Sequence, residues 1–166
     1  MDTVLMDRLV EVLNREAAAY ENIWKLSENK TDVIVGGKVT ELEGITRIEQ
    51  SMILQLGKLE EEREDLVDKM AAELKVDSSD VTLSSLEKLF PKEKSEKLKN
   101  CQQSLIKYVN DLSAANKRNA KLIRNSLEYI DFSINILTNA GSIGNNYGNS
   151  GHSNDSKKKN FFDMKL

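Results

Sequence analysis

Nine positions between Leu42 and Met70 follow a strict alternation of three and four residues: Leu42, Ile45, Glu49, Met52, Leu56, Leu59, Arg63, Leu66 and Met70. Only a helix brings such a series onto one face, and four heptads of it form a seam that must be covered by another helix of similar length. A second series precedes it. Met6, Leu9, Leu13, Ala17, Tyr20 and Trp24 recur at the same spacings, with Leu5, Val12 and Ile23 widening the stripe. They predict a first helix from about Thr3 to Val35. Val33, Ile34 and Val35 have strand propensity but no strand elsewhere to pair with, so they are read as helix. Gly36-Gly37 ends that helix, because glycine takes the left-handed conformation at a helix C-terminus without strain. A helical hairpin follows. Thr40 and Glu43 have the spacing of a capping box and are expected to open the second helix.

Two seam positions carry charge. Glu49 and Arg63 lie 14 residues apart, about 21 Å along a helix, so they cannot pair with each other. Each is expected to meet a polar group on a neighbouring helix and to fix its register. The other reading, a buried ion site, lacks a second carboxylate at seam spacing beside Glu49.

Residues 76–90 form a connector with N-cap residues and room for one short helix through Leu86, Leu89 and Phe90. Pro91, the only proline, suits the first turn of the next helix. The third long helix runs from about Lys92 to Thr138, on a seam of Leu98, Cys101, Leu105, Tyr108, Leu112, Ala115, Asn119 and Leu122. Its last third carries a second stripe: Ile123, Leu127, Ile130, Ile134 and Leu137. This helix would be about 70 Å long against about 50 Å for each of the others, so part of its apolar surface is surplus to the hairpin. Ile123, Leu127, Ile130, Ile134 and Leu137 are therefore assigned to a partner, and Leu122, Tyr129 and Ile136 to the core. The alternative puts both stripes in the core, one facing each helix of the hairpin.

The expected fold is all-α: an extended antiparallel bundle of three long helices, a coiled-coil-like hairpin plus a longer third helix. The helical domain spans residues 1–139. Residues 140–166 read as a flexible tail, because 139–160 are rich in Gly, Asn and Ser with almost no aliphatic side chains. FFDMKL, apolar again, closes the sequence as a candidate docking motif.

Composition agrees. Aromatics are 5% of the chain and charged residues 31%, a balance suited to helices that each bury one stripe. Residues 1–90 hold 20 acidic and 11 basic side chains, net −9, whereas residues 91–166 hold 7 and 13, net +6. An acidic hairpin attracting a basic third helix accounts for the split. A nucleic-acid partner would also use it, but no interleaved aromatics or nucleic-acid motif accompany the basic residues, and none is expected. The opening MDTVLMDRLVEVL has acidic residues where a signal peptide needs basic ones, and no apolar run approaches a membrane span. The lone cysteine, Cys101, can form no internal disulfide. A cytoplasmic protein without membrane insertion is expected.

Nothing in the chain suggests an enzyme. The only histidine, His152, lies in the tail, away from any rigid helix face. Cys101 occupies a core position with no ordered histidine to activate it. The acidic run from Glu60 to Asp65 lacks calcium-loop spacing and reads as a solvated face. No metal ligands and no cofactor are expected, and the physical reading ends at a cytoplasmic helical adaptor or chaperone.

The order of the motifs carries further. A glycine turn is followed by TELEGITRIEQSMILQL with its Glu49-Gln50 pair, then by LEEEREDLVDKMA with Arg63, a TLSSL connector and NKRNAKLIRNSLEYIDFSINIL. In this order and spacing, with Asn116 and Asn119 ahead of Leu122-Ile123, the chain resembles the FlgN family of flagellar type III export chaperones from about residue 5 to residue 148. The resemblance implies a chaperone that binds hook-filament junction proteins through their C-terminal helical segment. It would keep them soluble in the cytoplasm and deliver them to a membrane protein of the export gate. It places substrate binding on the last helix, here Asn116 to Leu137, and gate docking on a Tyr-Gly turn, matched by Tyr147-Gly148. The Gly/Asn-rich stretch before Tyr147 is longer than in tighter family patterns. The competing reading is a structural coiled-coil protein that self-associates through its third helix, and a homo-oligomer is compatible with either.

Overall fold

In a computed structural model, residues 3–143 are described. They form α1 (Thr3–Val35), α2 (Val39–Leu74), a 3-10 turn (Ser78–Asp80), α3 (Leu83–Leu89) and α4 (Lys92–Ile143), with no strand among the described residues. The all-α bundle of long helices is as expected. α4 continues five residues beyond Thr138. The tail from residue 144, with His152 and FFDMKL, lies outside the described residues.

The turn between α1 and α2 follows from Gly37. Its φ of +64° is left-handed, its N–H donates to the Ile34 carbonyl, and the Lys38 N–H donates to that of Val33. This double closure satisfies the last carbonyls of α1 and reverses the chain within three residues. It also removes the expected capping box. The chain enters α2 at Val39 with Lys38 as N-cap, and no side chain caps it. Thr40 already lies inside the first turn and Glu43 just beyond it. A reciprocal box forms instead at α3, where the Ser85 N–H donates to Thr82 Oγ1 (3.1 Å) and the Thr82 N–H to Ser85 Oγ (2.9 Å). Lys75 ends α2 in the left-handed region, at φ 57°, with the same paired closure onto Ala72 and Ala71.

The chain divides into two compact units, Met1–Ser126 and Leu127–Leu166. In the first, α1 and α2 are antiparallel: Lys30 pairs with Glu49, Tyr20 with Glu60, and Glu16 with Arg63. α4 runs parallel to α1. Lys94 meets Asp7, Cys101 meets Asn14, and Asn119 meets Ser27, so the partners ascend together. α1 is thus the central helix. This is why buried residues occur on more than one of its faces: Val12 and Leu13 are both buried, as are Glu16 and Ala17.

The apolar core is thickest where α2 hands over to α4. Met6, Leu9 and Leu13 of α1, Met70 of α2, Leu86 of α3, and Leu98 and Cys101 of α4 close on one another there. The capping box fixes the entry angle of α3 and so places Leu86 in this cluster. Cys101 behaves as a small core residue. Its thiol donates to Asn14 Oδ1 at 3.1 Å, and burial pushes its pKa up, away from the reactive thiolate.

Candidate partner-binding surfaces

The two seam charges of α2 each find a partner on α1, as expected. Lys30 Nζ lies 2.6 Å from Glu49 Oε2, and Arg63 Nε donates to Glu16 Oε1 at 3.0 Å. Glu16 was invisible to the periodicity because a glutamate beside Ala17 reads as a solvated neighbour of the stripe. It is nevertheless buried. Burial pushes its carboxyl above the ordinary 4.5, Arg63 opposes this by charge and by its hydrogen bond, and Glu60 adds a smaller upward push. Tyr20, whose hydroxyl donates to Glu60, is likewise raised, first by burial and then by that carboxylate.

The raised pKa of Glu16 has a sign that can be tested. Between the unfolded value near 4.5 and the higher folded value, the folded chain binds more protons than the unfolded one. The stability contributed by this group therefore falls as pH rises through that window and is constant above it. Glu16→Gln keeps an acceptor for Arg63 and has no proton to lose. The melting temperature of this variant minus that of wild type should climb as pH rises from about 4.5, then level off. Thermal melts followed by circular dichroism check this, and a difference independent of pH would reject it.

Between α1 and α4 the contact is a polar ladder. Ser27 Oγ donates to Asn116 Oδ1 (2.8 Å) and Thr31 Oγ1 to Asn119 Oδ1 (2.7 Å). Asn119 Nδ2 donates to the Ser27 carbonyl at 2.7 Å, and Arg118 pairs with Glu28 at 2.6 Å. Asn119 is only 3% exposed, with both amide atoms committed to α1, whereas Asn116 is exposed. Each such bond contributes about 1 kcal/mol, but a buried amide left unmade would cost more. The ladder therefore specifies the register of α4 more than it stabilises the pairing.

The second unit begins with the residues singled out for a partner. Leu127, Ile130, Ile134 and Leu137 are all exposed, while Ile123, still in the first unit, is half-buried. Tyr129 and Ile136, expected in the core, are instead 71% and 51% exposed, and Phe132 is exposed too. Of that core set only Leu122 is even half-buried. The reading with both stripes in the core fails for the same reason. Two hydroxyls among these residues turn back onto their own helix, Ser133 and Thr138 donating to the carbonyls of Tyr129 and Ile134. Interleaved with Glu128, Asp131 and Asn135, these apolar side chains are in contact with water, as on a binding surface.

The profile of the FlgN protein family matches residues 1–155. The chain belongs to the FlgN family. That family is one of flagellar chaperones, and its match takes in every helix described above. The chain is also 29% identical over 129 residues to the uncharacterized protein YvyG of Bacillus subtilis (strain 168), covering 78% of each chain. No solved structure matches. Within this FlgN-family chain, the sequence-derived site residues divide into Asn116 and Asn119, both bonded to α1 with Asn119 buried and Asn116 exposed, and an exposed apolar set of Leu127, Ile130, Ile134 and Leu137; Ile123 is half-buried. Tyr147 and Gly148 lie outside the described residues. No helix among the described residues is long and apolar enough to cross a membrane.

Proposed function

We propose that this chain is a cytoplasmic export chaperone for flagellar hook-filament junction proteins. On this reading it holds the C-terminal helical segment of the junction protein on the apolar face of α4 and hands it to the type III export gate. The observation that carries the reading is the exposure of Leu127, Ile130, Ile134 and Leu137 in a member of a flagellar chaperone family. An amphipathic helix recognises such a stripe by laying its own apolar face along it, at spacings of three and four residues. The resemblance also assigns Ile123 and Asn116 of the first unit to substrate binding, Ile123 half-buried and Asn116 exposed. Asn119 contributes by holding α4 on α1, since its amide is fully engaged there. Tyr147 and Gly148 serve delivery to the gate rather than capture, an aromatic in a polar segment being a natural anchor for a second partner.

The mechanism needs no covalent chemistry. Apolar surface that would drive the junction protein to aggregate is covered before export and released at the gate. Burying one large aliphatic side chain of the stripe stabilises the complex by about 1.5–3 kcal/mol, so a few of them suffice for specific but reversible binding. Calorimetric titration of the full chain with a synthetic peptide of the junction protein's C-terminal helix is expected to saturate at about one peptide per chaperone. Absence of saturable binding would overturn the proposal.

A further inference from the structure

We propose that the groove between α2 and α4, floored by α1, is a second docking surface that takes an amphipathic helix with a basic flank, contributed by the exported partner. The inference rests on the chaperone reading above and concerns only the unit Met1–Ser126.

Two clefts of about 320 and 500 Å³ share Tyr20 and so form one groove. Its α1 lining runs from Leu9 to Lys30, but Leu9, Leu13 and Glu16 are buried and share their end of the groove with Val81, Leu83 and Leu86, so the open stretch is that from Tyr20 to Lys30, about 15 Å or three turns of a partner helix. Ile53 and Leu56 stand on the α2 wall, Leu112 and Ile123 on the α4 wall. Ile53 is 57% exposed, an expensive place for an isoleucine unless something covers it. Three helices here present three sides of a four-helix arrangement, and a fourth laid between α2 and α4 would complete it.

Charge states what that helix is like. The ionic residues on the floor are already matched, Lys30 with Glu49 and Arg63 with Glu16, so that line asks for apolar side chains. The α4 lining residues, Leu105 to Ile123, carry no charge. The α2 side is acidic. Glu60 lines the cleft, and Glu61, Glu64 and Asp68, exposed and three or four residues apart, form a stripe beside it. An occupant with lysine or arginine along the flank facing α2 matches this wall, and one with glutamate there is repelled.

The test uses the full chain and two fluorescent leucine-rich helical peptides of about 20 residues, one with lysines along one flank and one with glutamates, read by anisotropy. The lysine peptide should bind saturably and at least ~10-fold more tightly than the glutamate peptide. Ile53→Glu should weaken it by about 10-fold or more, whereas Leu54→Glu, exposed and outside the clefts, should not. Glu61→Lys combined with Glu64→Lys should reverse the preference. Ile130→Asp should leave peptide binding unchanged, so loss of the junction protein alone in that variant concerns the α4 stripe and not this groove. The lysine peptide should also compete with the junction protein, and failure to compete would overturn the exported partner as its source. Equal affinity for the two peptides, or indifference to Ile53→Glu, would overturn the groove. So would loss of a self-associated species in sedimentation of Ile53→Glu, which would make the occupant a second copy. A tenfold gain in peptide affinity on removing residues 161–166 would make it this chain's own terminus.

Discussion

Ile130→Asp is expected to fold with a melting temperature near that of wild type and to lose at least ~10-fold in affinity for the junction protein's C-terminal helix. The wild-type side chain is half exposed, so an aspartate there keeps much of its hydration in the free protein. The remaining cost to the helix is the modest propensity difference of a mid-helix aspartate, about 0.5 kcal/mol. In the complex the balance changes. The variant forfeits the burial of an isoleucine, about 1.5–3 kcal/mol, and places a carboxylate against apolar surface, which costs more again. Calorimetry for binding and circular dichroism for melting, on the same preparation, separate the two effects. A sharply lowered melting temperature would mean that Ile130 is core. A folded variant with undiminished affinity would remove the stripe from the binding site.

The largest expected loss of stability comes from Leu9→Ala. Leu9 is buried in the cluster that joins all four helices, against Met70, Leu86 and Leu98 among others. Truncation to alanine removes transfer free energy and leaves a cavity that long, mutually braced helices cannot close. The loss is about 2–5 kcal/mol, or roughly 5–20 °C in melting temperature for a chain of this size. Leu54→Ala removes the same atoms from a side chain that is 71% exposed, and should change stability by less than about 0.5 kcal/mol. Denaturant melts of the pair check the contrast. Equal losses would place the core elsewhere.

The identity of the helices was legible because it is a local property. A repeat of three and four residues states which side chains share a face wherever the chain goes. The α2 seam read from the sequence contains four of its five buried residues, Ile45, Leu56, Leu66 and Met70, the fifth being Ala71 beside it. The hairpin was legible for the same kind of reason, since Gly37 is the residue that can adopt the left-handed turn unstrained. The charged seam positions were seen to need polar partners. Their names follow only from antiparallel register about that turn, which sets Lys30 opposite Glu49 and Glu16 opposite Arg63.

The misread features depend on distant parts of the chain. Thr40 and Glu43 have capping-box spacing, but the Gly37 turn had already started the helix before them. Tyr129 and Ile136 share a face with core residues, yet periodicity says which residues face the same way and not whether anything lies opposite. Asn119 sits on a seam position, but the groups its amide meets there, Ser27 and Thr31, lie about ninety residues away in sequence and no periodicity names them. The α2–α4 groove belongs to no single helix. It exists because α1 packs between the other two, an arrangement decided by where buried side chains meet and not by the pattern along any one segment.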